Sequence, residues 1–165
     1  EKYTLEDNNP IFVRDIPYRS SLTFIITMSN LSIINLQILL EEIIRLRKEY
    51  TKTYQRIWFD TPLLYTPDWQ SLKILPKEYI LIMDKIIEFM EKNTDEMHGF
   101  KDYEVLKMKR DRDWMSTGTD NLERKQGDFY KFFKEHDKRR YTNFLKTFPE
   151  MQEFWYKCEH YAKQH

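Results

Sequence analysis

The chain has 165 residues, with 27 lysines plus arginines against 27 aspartates plus glutamates, so its formal charge is zero. That balance excludes a nucleic-acid binder working through a net basic field, and 16% aromatic residues give enough ring surface to bury that intrinsic disorder is excluded as well. No stretch reaches the ~18 to 20 apolar residues of a membrane-spanning helix, and the single cysteine, Cys158, rules out an internal disulfide framework and points to a reducing, cytoplasmic setting.

Residues 1–20 read as polar and irregular. Pro10 and Pro17 interrupt short apolar pieces such as Ile11-Phe12-Val13, which suits an extended arm or an edge strand, where proline is tolerated. Leu22–Met28 is short, β-branched and nearly all apolar, the pattern of a strand covered on both faces. After the connection Ser29–Ser32, Leu36, Leu39, Leu40, Ile43, Ile44 and Leu46 fall on one side of a helix. Glu41, Glu42, Arg45 and Lys48 take the other side, and Ser32 or Asn35 is placed to cap it. A second strand is expected over Tyr54–Asp60, followed by a loop holding Pro62 and Pro67. Pro76 then opens a helix in which Tyr79, Ile80, Met83, Ile86, Ile87 and Met90 repeat at three and four.

Strands alternating with amphipathic helices predict parallel pairing through crossovers. Two strands leave such a sheet unfinished, with a face or an edge open. Beyond about residue 93 the sequence shows no strand pattern. One helix runs through Phe100, Tyr103, Val105 and Leu106 and is broken at Ser116–Thr119. A charged helix from Asp120 to Lys138 carries Phe129, Phe132 and Phe133 as its apolar positions. A last one, after Pro149 and Glu150, carries Met151, Phe154, Trp155, Cys158, Tyr161 and Ala162 at helical spacing. The fold class is therefore α/β: residues 1–92 form part of a (β/α) architecture with two parallel strands, and residues 93–165 an all-helical extension.

Most catalytic signatures are missing: no glycine-rich phosphate loop, no Gly-x-Ser-x-Gly turn and no His-Glu-x-x-His helix occurs. Cys158 sits in an apolar stripe and reads as a small buried hydrophobe. His98, His136, His160 and His165 lie among charged residues and read as solvated. The pairs Glu41/Glu42 and Asp111/Asp113 lie in charged runs that read as wet helix faces, and Lys107–Asp113 as a surface laced with ion pairs. Two places stand out. Thr27-Met28-Ser29-Asn30 follows a strand, and ligands of parallel α/β folds bind beyond the carboxyl ends of strands. Asn30 there either meets a ligand or supports the turn. Asp137, Arg140, Thr142-Asn143-Phe144 and Phe148-Pro149-Glu150 form either a buried polar clasp or a capped corner between two helices with one ion pair.

This tail, with the aromatic helix after it, resembles the C-terminal region of radical S-adenosylmethionine (radical SAM) proteins with a twitch/SPASM-type extension. Leu22–Met28 with Asn30, and Tyr54–Asp60 with Pro62, Pro67 and Leu75-Pro76, resemble two late strand–helix units of that family's barrel, so the likeness spans most of residues 21–160. It implies a partial (β/α) barrel whose complete form holds S-adenosylmethionine and a [4Fe–4S] cluster and generates a 5′-deoxyadenosyl radical, acting on a peptide or a small molecule. Thr27, Ser29 and Asn30 would by position lie near S-adenosylmethionine. Asp137, Arg140, Asn143 and Glu150 would be structural or substrate-facing. The sequence departs from the family in lacking the Cys-x-x-x-Cys-x-x-Cys segment, since three thiolates must reach three irons.

The expectation is thus the C-terminal half of a radical SAM enzyme. Its partner would be the missing cluster-binding half, or a separate chain that carries it, with no nucleic acid or membrane involved. The start at Glu1, without an initiator methionine or a signal sequence, fits a fragment or a processed chain. The alternatives are a small, mostly helical cytoplasmic interaction module and a relative that has lost the cluster and kept the fold. The barrel reading requires the two strands to pair in parallel.

Overall fold

Residues 21–53 and 55–164 are described by a computed structural model; the stretch around Ile11–Val13 and the start of the second predicted strand at Tyr54 lie outside them. The described part is mostly helical around a two-stranded sheet of β1 (Leu22–Ile25) and β2 (Ile57–Asp60). The strands pair in parallel with Leu22 opposite Ile57 and Ile25 opposite Asp60, and helix α1 (Leu36–Tyr50) connects them. Helices α2 (Ile80–Lys92), α3 (Asp102–Ser116), α4 (Leu122–Arg140), α5 (Phe144–Thr147) and α6 (Gln152–Ala162) follow. One hydrophobic cluster draws side chains from β2 and from helices on both sides of residue 93.

β1 is shorter than Leu22–Met28, and the reason is Pro62. Ile26 N–H still donates to Asp60 O at 2.8 Å, but the return bond to Ile26 O would need an N–H at residue 62, which proline lacks. The ladder resumes one step on, where Met28 N–H donates to Pro62 O and Leu64 N–H to Met28 O. The expectation that this strand is covered on both faces is also corrected. Phe24 and Ile26 turn toward the core beside buried Ile57 and Phe59. On the opposite face Thr23, Ile25 and Thr27 are exposed, Ile25 by 73%; Leu22, at the strand start on the same face as Phe24, is exposed by 51%. Helix α1 packs on β2, and among the described residues β1 has a partner strand on one edge only.

Helix α1 buries Leu36, Leu40, Ile43 and Ile44 and keeps Glu41, Glu42, Arg45 and Lys48 in water, as its periodicity predicts. Its start differs from expectation. A single 3₁₀ turn, Ser32–Asn35, precedes it, and Asn35 makes no side-chain capping bond. The Ser32 hydroxyl instead donates to Ser29 O and accepts from Ser29 N–H at 2.7 Å. Pro76 leads into a 3₁₀ turn, Lys77–Tyr79, and then α2. Helix α3 stops just ahead of Gly118, whose φ of 71° is a left-handed conformation that glycine adopts without penalty.

Helices α4 and α6 make the most extensive helix pair of the chain. Phe129, fully buried, lies at the centre of a ring cluster with Phe133, Phe144 and Phe154 at centroid separations of 4.8, 5.5 and 5.2 Å. The backbones themselves approach closely: a Cβ on Gly127 would lie 3.2 Å from the backbone nitrogen of Ala162. Phe132 stands at the edge of the cluster, 44% exposed but with its ring tilted against Trp69 at a centroid separation of 4.3 Å.

Candidate functional site

The carboxyl ends of the two strands each hold a buried polar group, and a third lies at the start of β2. Asn30 follows β1 and is fully buried. Its backbone N–H donates to Gln70 O at 3.0 Å and its side-chain Nδ2 to Trp69 O at 3.0 Å, which fastens the end of β1 to the loop after β2. Its Oδ1 is buried without a hydrogen-bond partner among the described residues. Ser29 is half-buried, with its hydroxyl accepting from Ser32 N–H at 3.2 Å. Thr27 is exposed on the open face of the sheet. The three predicted residues therefore do not converge, and of the three only Asn30 has a buried polar atom without a partner among the described residues.

At the end of β2 stands a second group. Thr61 is 1% exposed and Asp111, from α3, 4%. The Thr61 hydroxyl donates to Asp111 Oδ2 at 3.0 Å. Lys107, one turn before Asp111 on α3, donates to the Thr61 carbonyl and hydroxyl oxygens and lies 3.4 Å from Asp111 Oδ2 and 3.6 Å from Asp60 Oδ1. Burial pushes the Asp111 carboxyl above the ordinary aspartate range, against the pull of Lys107, Thr61 and Arg110. Asp111 is thus no part of a wet helix face, as its charged neighbours suggest, but a tie between β2 and α3.

A raised carboxyl pKa in the folded state contributes stability that is present below the ordinary aspartate range and lost as pH rises through the raised value. Asp111→Asn keeps an oxygen for the Thr61 hydroxyl and carries no charge. The expected result is a variant whose stability relative to the native chain improves from about pH 4 to about pH 7, measured as urea midpoints across that range. A difference that stays flat or shrinks with pH would contradict it.

The third buried polar group is an ion pair. Arg47, on α1, is fully buried and Glu104, on α3, 3% exposed. The guanidinium donates to both carboxylate oxygens, at 2.7 and 3.1 Å, and to the carbonyl oxygens of Ile57 at 2.9 Å and Gly99 at 2.6 Å. Lys101 N–H donates to Glu104 Oε2, and the Phe59 and Phe100 rings lie 5.5 and 5.9 Å from the guanidinium carbon. Every strong partner is thereby satisfied. Sequence reasoning passed over both residues. The signal was there: Arg47 continues the stripe of Leu40, Ile43 and Ile44, and Glu104 and Asp111 share the stripe of Met108 and Met115.

In the tail, Asp137 Oδ2 accepts from Phe144 N–H and Oδ1 from the Thr142 hydroxyl, both at 2.7 Å. Asn143 caps α5 by accepting from Lys146 N–H at 2.9 Å. The corner is therefore a capped turn. It lacks the ion pair expected alongside the capping: Arg140 is exposed and makes no ion pair among the described residues, and Glu150 is exposed in the 3₁₀ turn Pro149–Met151 that leads into α6. The chain turns the corner with Tyr141 in a left-handed conformation, φ 55°, its side chain 97% exposed. His98 is half-buried with Nε2 3.2 Å from Thr51 O, while His136 and His160 are exposed and His165 lies outside the described residues.

These residues do not fit the cluster that the family resemblance implies. The one thiol, Cys158, is fully buried in α6, and burial pushes it far above the ordinary thiol range, so it is neither a thiolate nor one of three. Among the described residues no group of three histidine, cysteine or carboxylate side chains is arranged to hold a metal ion, and no helix is long and apolar enough to cross a membrane. No protein-family model, curated protein or solved structure matches the chain.

Proposed function

We propose that this chain is the cluster-free part of a radical SAM enzyme, supplying two parallel strand–helix units of a (β/α) barrel and a helical extension, and that it is not catalytic by itself. The observation that carries this reading is the sheet. β1 and β2 pair in parallel through a helical connection, and β1 leaves its second edge without a partner strand among the described residues, with Leu22 and Ile25 exposed beside it. Such an edge is a template for a further strand. The added units would bring the three cysteines, and the radical chemistry belongs to them.

This chain's own part is to wall the site and to set its strand ends. Asn30, anchored through Trp69 O with Oδ1 unspent, is its nearest polar group for S-adenosylmethionine. The tail corner of Asp137 and Asn143 holds the extension. Arg140 and Glu150 face solvent without an ion-pair partner among the described residues and are the tail residues this reading turns toward a substrate.

The test has two parts. The reading frame that encodes the chain, or a neighbour on the same transcript, is expected to carry Cys-x-x-x-Cys-x-x-Cys. The complete protein, reconstituted anaerobically with iron and sulfide and given S-adenosylmethionine and dithionite, is expected to release 5′-deoxyadenosine. Absence of that segment, or a reconstituted protein that leaves S-adenosylmethionine intact, overturns the reading. A second reading, a helical interaction module, is favoured by the exposed aromatic side chains of Tyr65, Tyr103, Tyr141 and Tyr156. It predicts a folded, cysteine-poor complete protein with no heat of binding for S-adenosylmethionine.

A further inference from the structure

The turn that opens α2 and the start of α6 border a groove of about 730 Å³. Its floor is apolar: Tyr79, Ile82 and Phe154 line it, with the Tyr79 and Phe154 rings 6.2 Å apart in an edge-to-face arrangement. Its rim is acidic, carrying Glu78 from the turn before α2, Glu150 from the 3₁₀ turn Pro149–Met151 and Glu153 from the first turn of α6. All three are exposed, and none has a lysine or arginine partner among the described residues. Several of the chain's other surface carboxylates on helices are spent on i,i+3 or i,i+4 partners, as in Arg45 with Glu42 and Glu49, Lys92 with Glu88 and Arg139 with Glu135, while Asp102 and Glu123, each at a helix start, have no basic partner among the described residues.

Each carboxylate on the rim suits its own helix start through the dipole. That local effect explains them one at a time. It does not explain why two segments about seventy residues apart by position bring three unpaired carboxylates to one apolar floor with a single cation, Lys157, beside them. The Tyr79 hydroxyl in the groove also makes no hydrogen bond among the described residues. Burial raises its phenol above the ordinary value, and the negative charges of Glu150, Glu153 and Glu78 add to that, which places the carboxylates' field across the groove.

We infer that this groove docks a basic peptide segment of a partner protein, one that sets apolar side chains on Tyr79, Ile82 and Phe154 and arginine or lysine side chains against Glu78, Glu150 and Glu153. A small hydrated cation would leave the apolar floor in water, and an acidic or purely apolar segment would leave the carboxylates unmatched. Arginine fits best, because its flat guanidinium can lie on an aromatic ring and still donate to a carboxylate. The inference rests on the groove alone and stands whether or not the barrel reading holds.

The probe is the capped peptide acetyl-Leu-Arg-Leu-Arg-amide, titrated into the whole chain and followed by NMR, with its glutamate counterpart acetyl-Leu-Glu-Leu-Glu-amide alongside. The expected result is a shift of the Tyr79, Ile82 and Phe154 resonances with the basic peptide, weakened by salt, and none with the acidic one. The triple variant Glu78→Gln, Glu150→Gln, Glu153→Gln is expected to bind about tenfold more weakly or less. Lys157→Glu, which removes the cation beside the groove, is expected to bind several-fold more tightly, a gain that misfolding cannot produce. Equal binding by the triple variant, shifts confined to another surface, or no binding of the basic peptide at millimolar concentration overturns the inference.

Discussion

Arg47→Met is expected to destabilise the chain by about 3 to 5 kcal/mol, because it strands a buried carboxylate. The arginine spends its hydrogen bonds on Glu104 and on the carbonyl oxygens of Ile57 and Gly99, so its loss leaves Glu104 facing an apolar methionine and the Gly99 carbonyl without a donor, while Ile57 O keeps the Gln55 side-chain amide. Glu104 keeps only the Lys101 backbone N–H. Adding Glu104→Leu to Arg47→Met removes the stranded charge and is expected to restore most of the loss, since a buried ion pair and an apolar replacement of like volume are often close in stability. Urea unfolding of both single variants and the double variant measures the coupling. A single-variant loss below about 1 kcal/mol would mean that the pair is wetter than its full burial indicates.

Phe129→Ala carries an effect of similar size, about 3 to 5 kcal/mol. Phe129 is fully buried and its ring meets those of Phe133, Phe144, Phe154 and Trp155. Alanine would open a cavity bounded by rigid rings from three elements, which cannot all shift inward together. Phe129→Leu keeps most of the volume and is expected to cost less than half as much. Thermal and urea unfolding, read by tryptophan fluorescence from Trp155, check both, and the ring cluster is refuted as the anchor of the extension if the two substitutions cost the same.

The helices and their order were legible because they depend on periodicity within one segment, and the parallel strand pair because a helix between two strands makes the connection a crossover. The stripe of α1 and the aromatic stripe of α6 each hold enough apolar positions at three and four to be read alone. What was not legible depends on contacts across the chain. Arg47 and Glu104 are 57 positions apart, and a charged residue in an apolar stripe does not name its partner. Asp111 sits among Lys107, Arg110 and Arg112, where local sequence argues for water; Thr61 and the packing of α3 overrule it.

The candidate site was read in part. Asn30 lies at a strand end and is buried, but its amide is spent on a loop carbonyl 39 positions away. The strand covered on both faces was the wrong expectation, since hydrophobic content alone does not say which faces of a strand meet other elements.

The close approach of α4 and α6 has a consequence for how the two can come apart. Gly127 is a weak point in the second turn of a 19-residue helix, tolerable there because the last turn of α6 lies directly over it, Ala162 nearly touching its backbone. The chain's one alanine and one of its three glycines thus form a hinge pin: peel the end of α6 away, and the first turns of α4 lose their cover at the residue least able to hold a helix by itself.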